Sequence, residues 1–434
     1  MNNLEYIKER YSQLPAVSDE NGLGVIRQKA FDALNTMGIP TTRHEEWKYT
    51  RIGSFFNKEF QYTANQTAVT AADLSAVRLP GYEQANELVY INGRYTPELS
   101  VIRSKGLTVQ PLQEAAKNEY KDIVSKHLGH SSDYLKDGIN ALSTAFVQDG
   151  VFVHIKKGQI VEHPLYIYNI TDAREANVLA QPRTLVYVSE NAQVKFVETF
   201  NTLGTQESFT NRVIEIVVAK DAITEYYKIQ TDASHASQVA TTHIQQIGKS
   251  VTHTVTVSLN AGLVRNNLNI VLDEQYCEAH LYGIYLQQGQ SHIDNHTVVD
   301  HAQPHCESNE LYKGMLDDQS TGVFNGKIFV RKDAQKTNAY QHNKNVLLAE
   351  GASVNTKPQL EIFADDVKCS HGCTIGRLDE ESLFYLRSRG ITEDTAKSLL
   401  LHGFAMDILE QIKLEPIREY VDKLISERLE FDLA

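Results

Sequence analysis

The chain has 434 residues, 41% hydrophobic and 22% charged, the composition of a soluble globular chain and not of a long disordered one. Its 55 acidic and 42 basic residues give a net charge of −13, which disfavours nucleic acid and anionic membrane surfaces as partners. No apolar run approaches the roughly 20 residues of a bilayer span. The opening Met1-Asn2-Asn3-Leu4-Glu5 lacks the basic and apolar sections of a signal peptide. Four cysteines are too few for a disulfide framework in a chain of this length, so reduced thiols and a cytoplasmic location are expected. The formal glycosylation triplet Asn295-His296-Thr297 then carries no meaning.

Length and pattern predict three regions, with boundaries at residues 1–125, 126–370 and 371–434. The first is mixed and partly helical. Val25, Ile26, Ala30, Phe31 and Leu34 fall at helical spacing, and Gly38 followed by Pro40 stops the helix. The cluster Arg43-His44-Glu45-Glu46-Trp47-Lys48-Tyr49-Thr50 holds the only tryptophan, and Trp47 and Tyr49 are expected to pin it to the core.

From Val151 to Ala364 the pattern turns to short β-type runs. Val151–Ile155, Leu165–Ile170, Thr184–Val188, Val194–Phe200, Val213–Val218, Val251–Leu259, Leu281–Leu286 and Lys327–Val330 alternate in polarity or are rich in Val, Ile, Tyr and Thr. Even, short strands without a blade-length repeat favour a β-solenoid over a propeller. Asn266, Asn267, Asn269, Asn338, Asn343, Asn345 and Asn355 are read as residues of its tight corners.

Three motifs in this region bear on chemistry. Gly248-Lys249-Ser250 looks like the tail of a phosphate-binding loop, but His243 stands where the first glycine is needed, so ATP chemistry is left to a partner. His292, Asp294 and His296 would share one face of a strand, with His301, His305 and Cys306 following. Imidazole and carboxylate suit iron or manganese, so a metal-dependent β-fold enzyme using the His292–His305 cluster is the alternative function. Cys277 and Cys306 are read as buried thiols.

The third motif is Cys369-Ser370-His371-Gly372-Cys373, directly after Asp365-Asp366. On an extended strand Cys369, His371 and Cys373 project to one face, and thiolate and imidazole are suitable ligands for iron or a nascent cluster. Three ligands on one strand leave an open site that another subunit would complete. A Cys-His nucleophile is disfavoured, since side chains so close and parallel lack a third group to orient the base.

The last region returns to helix. Asp379 can cap a segment with Leu383, Phe384 and Leu386, ended by Gly390. Thr392, Glu393 and Asp394 open a second, and Pro416 begins a third. Such helices either cap the open end of a solenoid or form a docking surface, and capping is the default expectation.

Ala334-Gln335-Lys336-Thr337, Lys357-Pro358-Gln359-Leu360-Glu361, Asp365–Gly372 and Phe384-Tyr385-Leu386-Arg387-Ser388-Arg389-Gly390-Ile391 together resemble the signature core of the SufB/SufD family. Asp294-Asn295-His296-Thr297 and Tyr312-Lys313-Gly314 match it upstream, and coverage runs from about residue 140 to 410. Glu45-Glu46-Trp47-Lys48-Tyr49 and Cys369-Ser370-His371-Gly372 are similar to the SufD branch. The resemblance implies a right-handed parallel β-helix flanked by N-terminal and C-terminal helical regions. It implies a non-enzymatic scaffold for iron–sulfur cluster assembly, working with a SufB-like paralogue and a SufC-like ATPase docked on the C-terminal helices. It carries no tightly bound cofactor, and a transient iron or iron–sulfur cluster would sit at the interface, at Cys369 and His371. Cys373 departs from the family pattern. A monomer and a homodimer are both compatible with the isolated chain.

Overall fold

The computed structural model describes residues 3–14, 23–58, 60–61, 69–147 and 150–430; Met1 and Asn2 of the opening segment lie outside them. Its centre is a β-solenoid of about 8 turns. The chain alternates between two long sheets, so each turn gives one strand to each. From Leu165 onward the first sheet stacks Leu165–Ala173, Gln193–Gly204, Ile223–Thr231, Val251–Asn260, Glu278–Gln287, Glu307–Leu316, Asn338–Leu347 and Lys368–Gly376, all parallel. The second runs from Val151–Ile155 to the pair Ser353–Thr356 and Gln359–Ile362. The eight β-type runs expected from the pattern all fall within these strands. The strands Asn86–Ile91 and Leu107–Pro111 also join the two sheets, carrying them into the N-terminal region.

Residues Gln193, Ile223, Val251, Glu278, Glu307, Asn338 and Lys368 stack in register, a spacing of 27–31 residues per turn. Inward side chains build a continuous core of Val, Ile, Leu and aromatic residues. A polar layer interrupts it: Arg212 pairs with Glu198, and the Tyr226 hydroxyl donates to the same carboxylate. Fully buried, the pair is supported by further partners, Arg212 also donating to the Thr241 carbonyl at 2.6 Å and the Thr242 hydroxyl at 3.0 Å.

The asparagines have a different place from the one expected. Asn266, Asn267, Asn269, Asn338, Asn343, Asn345 and Asn355 lie on strands, and the corners belong to other residues: Asn191, Asp221, Tyr276, His305, Asp318 and Lys336 have positive φ. Asn266 donates to Asn295 on the next strand of its sheet at 3.0 Å and, across the core, to Gln230 of the first sheet at 2.9 Å. An in-register parallel stack lets one amide bridge to the next, so asparagine is used here for ladders inside the solenoid.

The C-terminal helices also differ from expectation. Glu393–Leu409 and Glu415–Arg428 do not cap the open end but lie along the outer face of the first sheet, burying Leu401, Ile408, Ile417, Val421 and Ile425 against Val255, Val257, Ile284 and Leu286. Asp379 and Thr392 cap their helices as expected, and Gly390 takes a left-handed φ. On the opposite outer face, Leu23–Met37 and Gly138–Ala145 pack on the second sheet. Leu34 is buried there, whereas Val25 is 61% exposed. The last strand, Lys368–Gly376, is left mostly exposed.

Candidate functional site

Alternation along Lys368–Gly376 and its register with Asn338–Leu347 place Cys369, His371 and Cys373 on the inward face, over Ala339, Gln341 and Asn343. In the preceding turns such residues are buried; here no further strand among the described residues covers them, and His371 and Cys373 are exposed. Cys369 packs partly against Ile328, Val330, Ala334 and Ala339, and burial pushes its thiol up. The Cys373 sulfur lies 3.1 Å from the Thr356 hydroxyl on the facing strand. Alternate strand residues stand about 6.6 Å apart along the chain. Accordingly, among the described residues no three His, Cys, Asp or Glu side chains are arranged to hold a metal ion, this trio included.

Beneath His371 runs a column that sequence reasoning missed. Glu310, Gln341 and His371 occupy the same inward position on three successive strands. The Gln341 amide donates to the Glu310 carboxylate at 2.7 Å, and burial lifts that carboxyl to about 7. Beside it, Asn345 donates to Asn343 at 2.7 Å and Asn343 to the Tyr285 hydroxyl at 3.3 Å. The signal that finds this column is the turn period, which aligns residues about 30 apart that nothing local connects.

The histidines divide between the two faces. His292, Asp294 and His296 do share the outward face, but they hold the N-terminal segment in place. The Thr50 hydroxyl donates to Asp294 and lies 2.9 Å from His292 Nε2. His296 sits between Asp294 at 2.9 Å and Glu46 at 3.5 Å, and Arg265 reaches Asp294 at 2.9 Å. Burial opposes ionisation of Asp294, yet His296 and Arg265 hold its carboxyl well below the usual range. The His296 hydrogen bond lowers Glu46 to about 2. Trp47 is 1% exposed and pins the segment as expected; Tyr49 is 42% exposed and does not. His301 points inward to Ser308 at 2.9 Å, and His305 sits on a corner stacked on Tyr276. Cys277 and Cys306 are buried thiols, bonded to the carbonyls of Gly248 and Glu274. The six residues of the alternative cluster therefore do not form one centre.

No helix among the described residues is long and apolar enough to cross a membrane. Comparison with known proteins fits this arrangement. Residues 169–404 match the model of the SufBD core domain of the SUF system for FeS cluster assembly, and residues 5–167 match the SufBD protein N-terminal region. An iron–sulfur cluster assembly SufBD family protein of Synechocystis is 33% identical over 410 residues, covering 92% of this chain and 90% of the relative. The iron–sulfur cluster assembly protein SufD of Escherichia coli is 29% identical, with 93% and 92% covered, and the SufD of Bacillus subtilis is 24% identical, with 93% of each covered. With the two family models together matching residues 5–167 and 169–404, the chain belongs to the SufBD family of iron–sulfur cluster assembly proteins.

Proposed function

We propose that the chain is the SufD-like, non-enzymatic scaffold of a cytoplasmic SUF complex. In this reading a SufB-like paralogue adds to the open end of the solenoid and a SufC-like ATPase docks on the C-terminal helices. Iron and sulfur are cargo, held transiently where Cys369 and His371 meet ligands of the paralogue. One observation carries the reading: the ligand-type side chains Cys369, His371 and Cys373 occupy the inward face of the last, uncovered turn. A partner strand laid on that turn would bring in the missing ligands.

The C-terminal helices support the second contact. Glu380–Ser388 buries none of its residues, and Phe384 is 74% exposed. The neighbouring helix is tied to the solenoid by Lys313, which pairs with Asp407 and donates to the Phe404 carbonyl at 2.9 Å. Movement of an ATPase bound there would reach the first sheet through this tie, provided ATP favours one arrangement over the other.

The test replaces His371 by Ala and Cys369 by Ser in the full chain, expressed with its native partners. The expected result is co-purification of a paralogue and an ATP-binding-cassette subunit at unchanged yield, with loss of iron–sulfur enzyme maturation in cells. Normal maturation in cells carrying only His371→Ala sinks the assignment of the site, and recovery of the wild-type chain without partners sinks the complex.

A further inference from the structure

A cleft of about 580 Å³ opens between the segment Thr36–Trp47, the loop Tyr134–Gly138 and the outer face of the second sheet. That volume suits a small organic ligand. Its floor consists of two registered rows across three strands: Asn267, His296 and Asn325, then Asn269, Val298 and Lys327. The walls bring apolar groups, Pro40 and Leu135 among them, to face Val298.

The polar groups around this cleft are unevenly engaged. Its carboxylates are all taken: Glu45 pairs with Lys357, Glu46 with His296 and Asn325, and Asp137 with two backbone N–H groups of its helix and the Trp47 indole. The donors are not all taken. Asn269 is 1% exposed and its Nδ2 has no hydrogen-bond partner among the described residues. A buried amide donor left alone costs about 1–3 kcal/mol, so an acceptor in the cleft would be favoured. Lys327 lies two strands away in the same row, joined to Glu361 by a half-exposed ion pair that is easily exchanged. Exposed Lys136 stands at the rim.

We propose that this cleft binds a small organic anion, its apolar or aromatic body against Pro40 and Leu135, its phosphate or carboxylate head on the row from Asn269 to Lys327. The ligand would touch both the N-terminal segment and the solenoid, so binding would fasten the one to the other. The site stands apart from the strand that carries Cys369 and His371, and the inference does not rest on the function proposed above.

The test uses the full chain and two probes with aromatic bodies, AMP for a phosphate head and 2-naphthoate for a carboxylate head, in calorimetry and thermal melting. Saturable one-to-one binding of either probe is expected, and which one binds assigns the head group. Asn269→Leu removes the buried donor and should weaken binding by roughly 10- to 100-fold. Lys136→Ala with Lys327→Ala, both at accessible positions, should weaken it similarly and provides the same check should Asn269→Leu fail to fold. Absence of binding by both probes at millimolar concentration overturns the proposal, as does binding that neither variant changes.

Discussion

Arg265 lies over Trp47, its guanidinium carbon 3.8 Å from the ring centroid, while the same side chain reaches Asp294 at 2.9 Å and the Glu46 carbonyl at 2.6 Å. One arginine on the second sheet thus secures the segment around Trp47 by ring face, carboxylate and backbone together. Stacking on a desolvated ring adds to the area that Trp47 buries. Trp47→Ala is expected to cost about 3–5 kcal/mol, read by urea denaturation followed by circular dichroism. Loss of less than 1 kcal/mol would show that the segment contributes little to the fold.

The Glu310 carboxyl gives a pH dependence of a definite sign. Burial raises it to about 7 in the folded chain, above the ordinary glutamate value. The folded state therefore binds more protons than the unfolded state between roughly pH 4.5 and 7, and stability falls as pH rises through that window. Glu310→Gln keeps the shape and removes the titration. Relative to wild type it should gain on the order of 2 kcal/mol between pH 5 and pH 8, measured by urea denaturation at both. An unchanged difference at the two pH values would show that Glu310 ionises as an ordinary carboxylate.

Glu46 acts with the opposite sign. His296 lowers it to about 2, so its contribution is present above the ordinary glutamate value and is lost as pH falls toward 2. Glu46→Gln should lower the neutral plateau and flatten the acid side of the stability curve between roughly pH 4.5 and 2, so that the variant and wild type converge toward pH 2. An acid limb identical to wild type would remove Glu46 from the account.

Gly283 and Gly314 face Tyr312 and Tyr285 on the adjoining strand, each glycine beside a ring. A Cβ on either glycine would enter that ring. Gly283→Ala should therefore destabilise by about 1–3 kcal/mol through overpacking, and trimming the ring in Gly283→Ala/Tyr312→Val should relieve part of the clash. Equal stability of Gly283→Ala and wild type in thermal melting would mean that the rings move aside freely.

Lys313 ties the C-terminal helix to the first sheet through Asp407 and the Phe404 carbonyl, with Phe404 also beneath the ammonium. Lys313→Met keeps the buried stem and removes the charge. Limited proteolysis should then cut within residues 380–430 several-fold faster, with the solenoid left resistant. Unchanged cutting would assign the helix's attachment to its apolar face alone.

The pattern of the sequence carried the solenoid and its flanking helices, because alternating polarity and turn chemistry are local properties. Partners nearly 30 residues apart were not legible, since the turn varies between 26 and 32 residues and the repeat has no fixed sequence. That is why Glu310 and Gln341 went unnoticed below His371. The asparagines pointed to a solenoid for the wrong reason: they lie on strands, and side chains such as Asn266 and Asn267 bond to adjoining turns instead of shaping corners. His292, Asp294 and His296 share a face as alternation predicts, but only tertiary structure reveals Thr50, Glu46 and Arg265 against them. Tyr49 and Val25 show the limit from the other side, as apolar residues within correctly read segments that face water.

The two ends of the solenoid are unlike. At its start the sheets end in antiparallel pairings, Asn86–Ile91 with Arg94–Tyr95 and Val151–Ile155 with Leu107–Pro111. At its finish Lys368–Gly376 and the strands Ser353–Thr356 and Gln359–Ile362 close each sheet, with no strand beyond them among the described residues. A molecule with one blunted and one receptive end can join another solenoid end to end only once. In the complex proposed above, growth by strand addition would halt at two members, so the backbone hydrogen bonding that receives a companion would also withhold a third and guard against fibre formation.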